Sequence, residues 1–240
     1  FSIDNANYFA TANEFVKIRL DTSDANSGDF NAIKIYQDLL VFRLNNNANL
    51  DALADADLKR LQFVKEHYFN KSENEELYFT ALKRIKTEYT KCNTAAIINF
   101  EIAQIIVQKN SNNEEANTST VGGLKEALAI CDETIKNYPN TEGATNCAAL
   151  RETIFHKNLS ITTEETVIPN EPFKALVNFK NINKIYLKII PINFSDKDKI
   201  FNLKDKETQK DIIKRLNAIK PIRIWNQSLP ITDDYLDHST

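Results

Sequence analysis

The sequence predicts an α+β protein of two domains: an antiparallel helical domain over residues 1–157, then an antiparallel β-sandwich over 158–240. Three observations predict it. Up to Lys157, apolar residues recur at helical spacing; beyond it they alternate at period two, the mark of a half-buried strand. With 240 residues, 42% hydrophobic and 26% charged, the chain sits in the ordinary globular range and can build one or two cores.

The helical elements follow in order. Ile33, Tyr36 and Leu40 form one stripe, Leu58, Leu61, Val64 and Tyr68 a second, and Tyr78, Leu82, Ile85 and Tyr89 a third. Ser72 with Glu75 three residues later fits a capping box for the third helix. Short polar links make antiparallel neighbours of these helices. Further on, Ala103 and Ile106 fit the first helix of a tetratricopeptide-like unit, and Ala127, Cys131, Thr134 and Pro139 fit its second. The polar stretch Asn110 to Thr120 is too long for that repeat's turn, so a helical hairpin is expected rather than a regular superhelix. A last helix runs from near Thr141 through Cys147 to about His156.

In the β region, Phe173, Ala175, Val177 and Phe179 share one strand face, and Ile185, Leu187 and Ile189 share one face of the next. The short link from Lys180 to Lys184 predicts a hairpin between these two strands, and Pro169 and Pro172 bracket a break before them. A helix over Glu207 to Leu216, a strand over Pro221 to Trp225 and a terminal strand within Tyr235 to Thr240 complete the count. Trp225 is read as sandwich packing rather than ligand stacking. A complete sandwich needs about seven strands. Five or six are counted, so the β domain is expected to be truncated.

The run from Ser160 through "TEETVIPNEPFKALVNFKNINKIYLKII" resembles the first macroglobulin-type domain of bacterial alpha-2-macroglobulins, especially the large cell-envelope proteins of Bacteroides-like bacteria. The preceding "AICDETIKNYPNTEGATNCAALRETI" is similar to the helical segment before that domain. The resemblance implies an amino-terminal scaffold or docking fragment of an endopeptidase inhibitor in the periplasm or cell envelope, exported and with a lipid anchor in the parent protein as one option. Target proteases would be engaged by parts of the parent outside this fragment, and a protein partner by the helical domain. The competing class is an interaction module of helical repeat and β-sandwich, in a surface adhesin or a glycan-uptake lipoprotein.

The residues argue against other functions. A net charge of −3 without a basic block argues against nucleic acid as the main partner. No apolar run approaches the roughly 18 residues of a membrane span. Phe1 is not preceded by a leader, so any export signal is expected to be removed or to lie outside. His67, His156 and His238 have no metal-ligand spacing and read as surface or helix-end residues. Asp51, Asp55 and Asp57 lack the glycine of a calcium loop and read as a solvated helix face. There is no GxSxG, Walker loop or GxGxxG, and only four glycines could build a phosphate cradle. No enzyme activity, catalytic residue, metal or cofactor is therefore expected.

The cysteines need separate treatment. The residues three after Cys92, Cys131 and Cys147 are Ala95, Thr134 and Leu150, so the Cys-x-x-Gln thioester arrangement of complete alpha-2-macroglobulins is missing from this segment. Five sequons, at Asn70, Asn117, Asn158, Asn193 and Asn226, are expected by chance in an Asn-rich chain and carry no assigned function. Cys131 and Cys147 each stand eight residues from Pro139, so antiparallel helices turning there set them opposite one another as a candidate disulfide. The competing reading is two small core residues at a helix contact, with Cys92 a buried thiol in either case.

Overall fold

Side-chain caps set the helix starts in the computed structural model, which describes residues 1–21, 26–46, 49–112, 123–168, 171–205 and 207–240. A 3-10 turn at Ala6–Phe9 precedes α1 (Ala12–Phe15), which Thr11 and Glu14 close with a capping box. Ser27 caps α2 (Gly28–Asn45) and Asn49 caps α3 (Leu50–His67), each accepting a backbone N–H of the first turn. α4 (Lys71–Glu88) starts earlier than the Ser72–Glu75 pattern suggests. Asn70 is its cap and accepts from the Ser72 N–H and hydroxyl, because an amide oxygen one residue before the helix reaches those donors first. α5 (Thr94–Asn112), α6 (Leu124–Asn137) and α7 (Glu142–Phe155) follow. Of the polar stretch Asn110 to Thr120, the first three residues end α5; the rest lies outside the described residues.

These helices belong to a unit spanning Phe1–His156. Each helix from α2 onward packs on the next, and α5 also touches α3 and α7. The three stripes read from the sequence point into this core: Ile33, Leu40, Leu58, Leu61, Val64, Leu82 and Ile85 are all buried. At Gly143 of α7, a Cβ would lie 2.2 Å from the Ala96 carbonyl carbon and 2.4 Å from its oxygen on α5. Only the missing side chain lets the two backbones approach this closely.

The first sixteen residues, to which no structure was assigned from sequence, are tied to this unit. The Phe69 N–H donates to Ile3 O at 2.8 Å, and Phe9 meets Tyr68 edge-on at 5.3 Å. Arg60 of α3 is fully buried and donates to Tyr8 O at 2.6 Å, to Ala10 O at 3.0 Å and to the Asp57 carboxylate. The Tyr89 hydroxyl donates to the other Asp57 oxygen at 3.1 Å, and the Phe15 ring lies 4.6 Å from the guanidinium carbon. Burial pulls the Arg60 pKa down and the Asp57 charge opposes it. The solvated face expected for the three aspartates is thus corrected for two of them. Asp57 is buried because Arg60 one turn later neutralises it, and Asp51 accepts the Thr94 N–H at 2.8 Å and its hydroxyl at 2.5 Å. Asp55 alone is exposed.

The second unit, Lys157–Thr240, holds two small antiparallel sheets. In the first, β2 (Ala175–Lys180) lies between β1 (Asn158–Thr163) and β5 (His238–Ser239). In the other, β3 (Lys184–Ile189) pairs with β4 (Arg223–Ser228), setting Ile185 opposite Gln227 and Leu187 opposite Trp225. This corrects the predicted hairpin: β2 and β3 are consecutive yet sit in different sheets. Asn181, at φ 55°, turns the chain so that the apolar side of β3 meets that of β2 instead of extending its ladder. Phe179, Ile185 and Leu229 are buried together there, with Val177, Ile182 and Leu187 packed around them. Phe173 falls before β2 and is exposed. Between β3 and β4 lie α8 (Lys197–Phe201) and α9 (Gln209–Asn217). Helices with small antiparallel sheets make the chain an α+β protein.

Four stability outcomes, in two contrasting pairs, are read by urea unfolding. Asp57→Asn leaves Arg60 buried without its counter-charge and should cost about 3–5 kcal/mol, whereas Tyr89→Phe should cost only about 1–2 kcal/mol. Gly143→Ala should destabilise by roughly 1–3 kcal/mol or more, while Gly28→Ala, where a Cβ meets nothing within 4 Å, should gain about 0.5 kcal/mol.

Candidate docking groove

Tyr78 belongs to the buried stripe of α4, so its ring packs inward while its hydroxyl reaches the rim of the helical unit. There it donates to Glu101 Oε2 of α5 at 2.6 Å, and Gln62 Nε2 of α3 donates to Glu101 Oε1 at 2.5 Å. This bridge is the floor of a groove of about 610 Å3 between α3, α4 and α5. Lys65 and Glu66 of α3 and Lys71, Asn74 and Glu75 of α4 form its walls. Asn74 Nδ2 donates to Lys65 O at 2.6 Å and Lys71 Nζ to Glu66 O at 2.5 Å, which locks the α3–α4 corner. The Lys65 ammonium lies 4.9 Å from the Tyr78 ring centre. A smaller recess shares Lys65, Glu75 and Tyr78 and reaches Ile105 and Lys109.

The groove suits binding rather than proton transfer. Both Glu101 oxygens already accept a hydrogen bond, and burial, reinforced by the Glu101 charge, drives the Tyr78 hydroxyl pKa far above its ordinary range. What it offers a ligand is two ammonium groups, exposed carboxylates at Glu66 and Glu75, and side-chain amides. That is a polar surface for hydrogen-bonded, charge-matched contact. Sequence reading placed Tyr78 on a core stripe, which it occupies. It missed Gln62 and Glu101, because their pairing depends on how α3 packs against α5 and no local spacing records that.

Of the residues singled out from sequence, Cys131 and Cys147 are brought together. Both are fully buried on the packed helices α6 and α7, and each shifts the thiol pKa of the other. Cys92 lies apart in the α4–α5 connection, its thiol donating to Tyr89 O at 3.2 Å. The histidines are scattered. His67 at the end of α3 stacks on Phe63 and pairs with Asp29 at 2.7 Å, His156 caps α7, and His238 in β5 pairs with Asp234 at 2.9 Å. Among the described residues no three His, Cys, Asp or Glu side chains converge as metal ligands, and no helix is long and apolar enough to cross a membrane. Trp225 is half-buried on β4 beneath the Arg223 guanidinium. Of the sequons, Asn70 is the α4 cap, Asn158 and Asn226 lie in strands, Asn193 precedes a 3-10 turn, and Asn117 falls outside the described residues.

Comparison with protein-family models, with curated proteins and with solved structures finds no match to this chain.

Tyr78→Phe removes one of the two donors to Glu101 and should lower unfolding stability by about 1–2 kcal/mol with the helical circular dichroism retained. An unchanged urea midpoint would show that the bridge does not hold α4 to α5.

Proposed function

We propose that the chain is the amino-terminal scaffold and docking portion of a cell-envelope alpha-2-macroglobulin-like protease inhibitor, and not an enzyme. The observation that carries this reading is an order of parts. A unit of helical hairpins, in which α5 packs on both α3 and α7, is followed in sequence by short antiparallel strands in two small sheets. The helical unit is read as tetratricopeptide-like, with its groove as the docking surface for a protein partner. The second unit is read as a macroglobulin-type sandwich within a larger periplasmic or envelope protein.

The surface of the second unit supports a place among other domains. Its buried core is small, while Tyr186, Phe194, Ile222, Ile224 and Ile231 are each at least 70% exposed. Apolar exposure of this kind marks surfaces that other protein covers. In such a parent, cleavage of an exposed bait segment elsewhere would rearrange the macroglobulin domains around the protease, and this portion would hold the frame.

The test combines inhibition with the gene. The purified chain should leave a panel of endoproteases fully active and form no covalent adduct, while the parent polypeptide, read from the gene, should carry further macroglobulin-type domains and inhibit. Stoichiometric inhibition by this chain alone would overturn the scaffold role. A parent lacking such domains would favour the adhesin or glycan-uptake module.

A further inference from the structure

We propose that Cys131 and Cys147 form an intramolecular disulfide that staples α6 to α7, leaving Cys92 as the chain's free thiol. The inference rests on the helical unit alone and is independent of the proposed function. The two cysteines occupy facing positions on antiparallel helices joined by the Tyr138–Thr141 turn, where Asn140 takes a left-handed conformation at φ 67°. Each is 0% exposed, the helices that carry them pack against each other, and each thiol shifts the pKa of the other. A bridge needs Cα atoms about 4.4–6.8 Å apart, and the small buried residues Ala127, Cys131, Ala144 and Cys147 let α6 and α7 pack closely. Thr134 beside them is also buried, and its hydroxyl donates to Ile130 O at 2.7 Å, which spends its only hydrogen within α6.

The pair is also chemically unequal. In the folded thiol form, contact with Cys131 holds the Cys147 pKa down, while that of Cys131 is raised by the same contact and by burial. The bridge forms by thiol–disulfide exchange with a disulfide donor of the glutathione or thiol-oxidoreductase class, and one cysteine attacks first. Its thiolate attacks one donor sulfur, the donor S–S bond breaks, and the second donor sulfur leaves as a thiolate. The other cysteine's thiolate then attacks the protein sulfur of the mixed disulfide and releases the first donor sulfur. Two electrons pass from the two cysteines to the donor, and the protons lost from the two cysteines end on the donor's two sulfurs. Because both thiols are sealed in the folded chain, the exchange takes place before α7 closes on α6. Once made, the bridge is shielded from reductants by the same packing.

Cys92 is excluded from the bridge by position. It sits in the connection between α4 and α5, engaged with Tyr89 O, and burial raises its pKa. A buried thiol of that kind is inert.

The test uses the whole chain refolded with a mixture of reduced and oxidised glutathione. Thiol counting in denaturant without reductant should find one thiol, at Cys92, and peptide mapping should recover the Cys131 and Cys147 peptides as one linked species. Three thiols, or a bridge that includes Cys92, would overturn the proposal. Reduction should lower the midpoint of thermal unfolding by roughly 5–10 °C, since the bridge restricts the unfolded chain. A linked chain whose midpoint does not fall on reduction would overturn the stapling role. Cys92→Ser should leave no thiol and the same midpoint difference. The wild-type count decides the question even where the Cys131→Ser, Cys147→Ser double variant fails to fold.

Discussion

A fully buried guanidinium must have partners for its charge and its hydrogens, and the helical unit is organised around meeting that demand at Arg60. Its donors fix the carbonyls of Tyr8 and Ala10, its counter-charge Asp57 lies one turn away on the same helix, and Tyr89 holds the second Asp57 oxygen. Arg84 of α4 adds a donor to the same Ala10 carbonyl at 2.9 Å. Three separate stretches of chain are thereby fixed to one another: the amino-terminal segment, the middle of α3 and the end of α4. A buried ion pair of this type adds little net stability over an apolar replacement, but its partners have only one arrangement that satisfies them. That uniqueness sets how α3 and α4 lie, and the groove between them inherits its shape.

The parts legible in the sequence were those governed by local periodicity. The stripes Leu58–Tyr68 and Tyr78–Tyr89 are buried where helical spacing places them, and the helix from Thr141 starts at that cap. What escaped was decided by distant contacts. Asp57 looks like any surface aspartate until Arg60 and Tyr89 converge on it, and the first sixteen residues show no long periodic run because their order comes from Arg60 and the Phe9–Tyr68 contact. The groove was half visible. Tyr78 was in hand as a core residue, but its hydroxyl, Gln62 and Glu101 become a unit only in three dimensions.

The strand region shows the limit of alternation as a signal. Of the faces read from period two in β2 and β3, Phe179 and Ile185 are buried and Val177 and Leu187 pack beside them, while Ala175 and Ile189 at the strand ends are exposed. Period two could not tell a hairpin from a crossing between sheets, since both present the same alternating faces. Asn181, at positive φ, stands at the break between the two strands, and Phe179 and Ile185 on either side of it end in one buried cluster.

The edge strand β1 carries a consequence for how chains of this protein meet one another while folding. Its six residues, Asn-Leu-Ser-Ile-Thr-Thr, contain neither charge nor proline, and all are exposed. Such an edge invites pairing with a second chain. Charges stand immediately outside it, Lys157 before and Glu164 and Glu165 after. In parallel, in-register stacking, those residues would fall opposite their own copies, lysine on lysine and glutamate on glutamate, so ordered aggregation along this edge meets repulsion at both ends of every strand added.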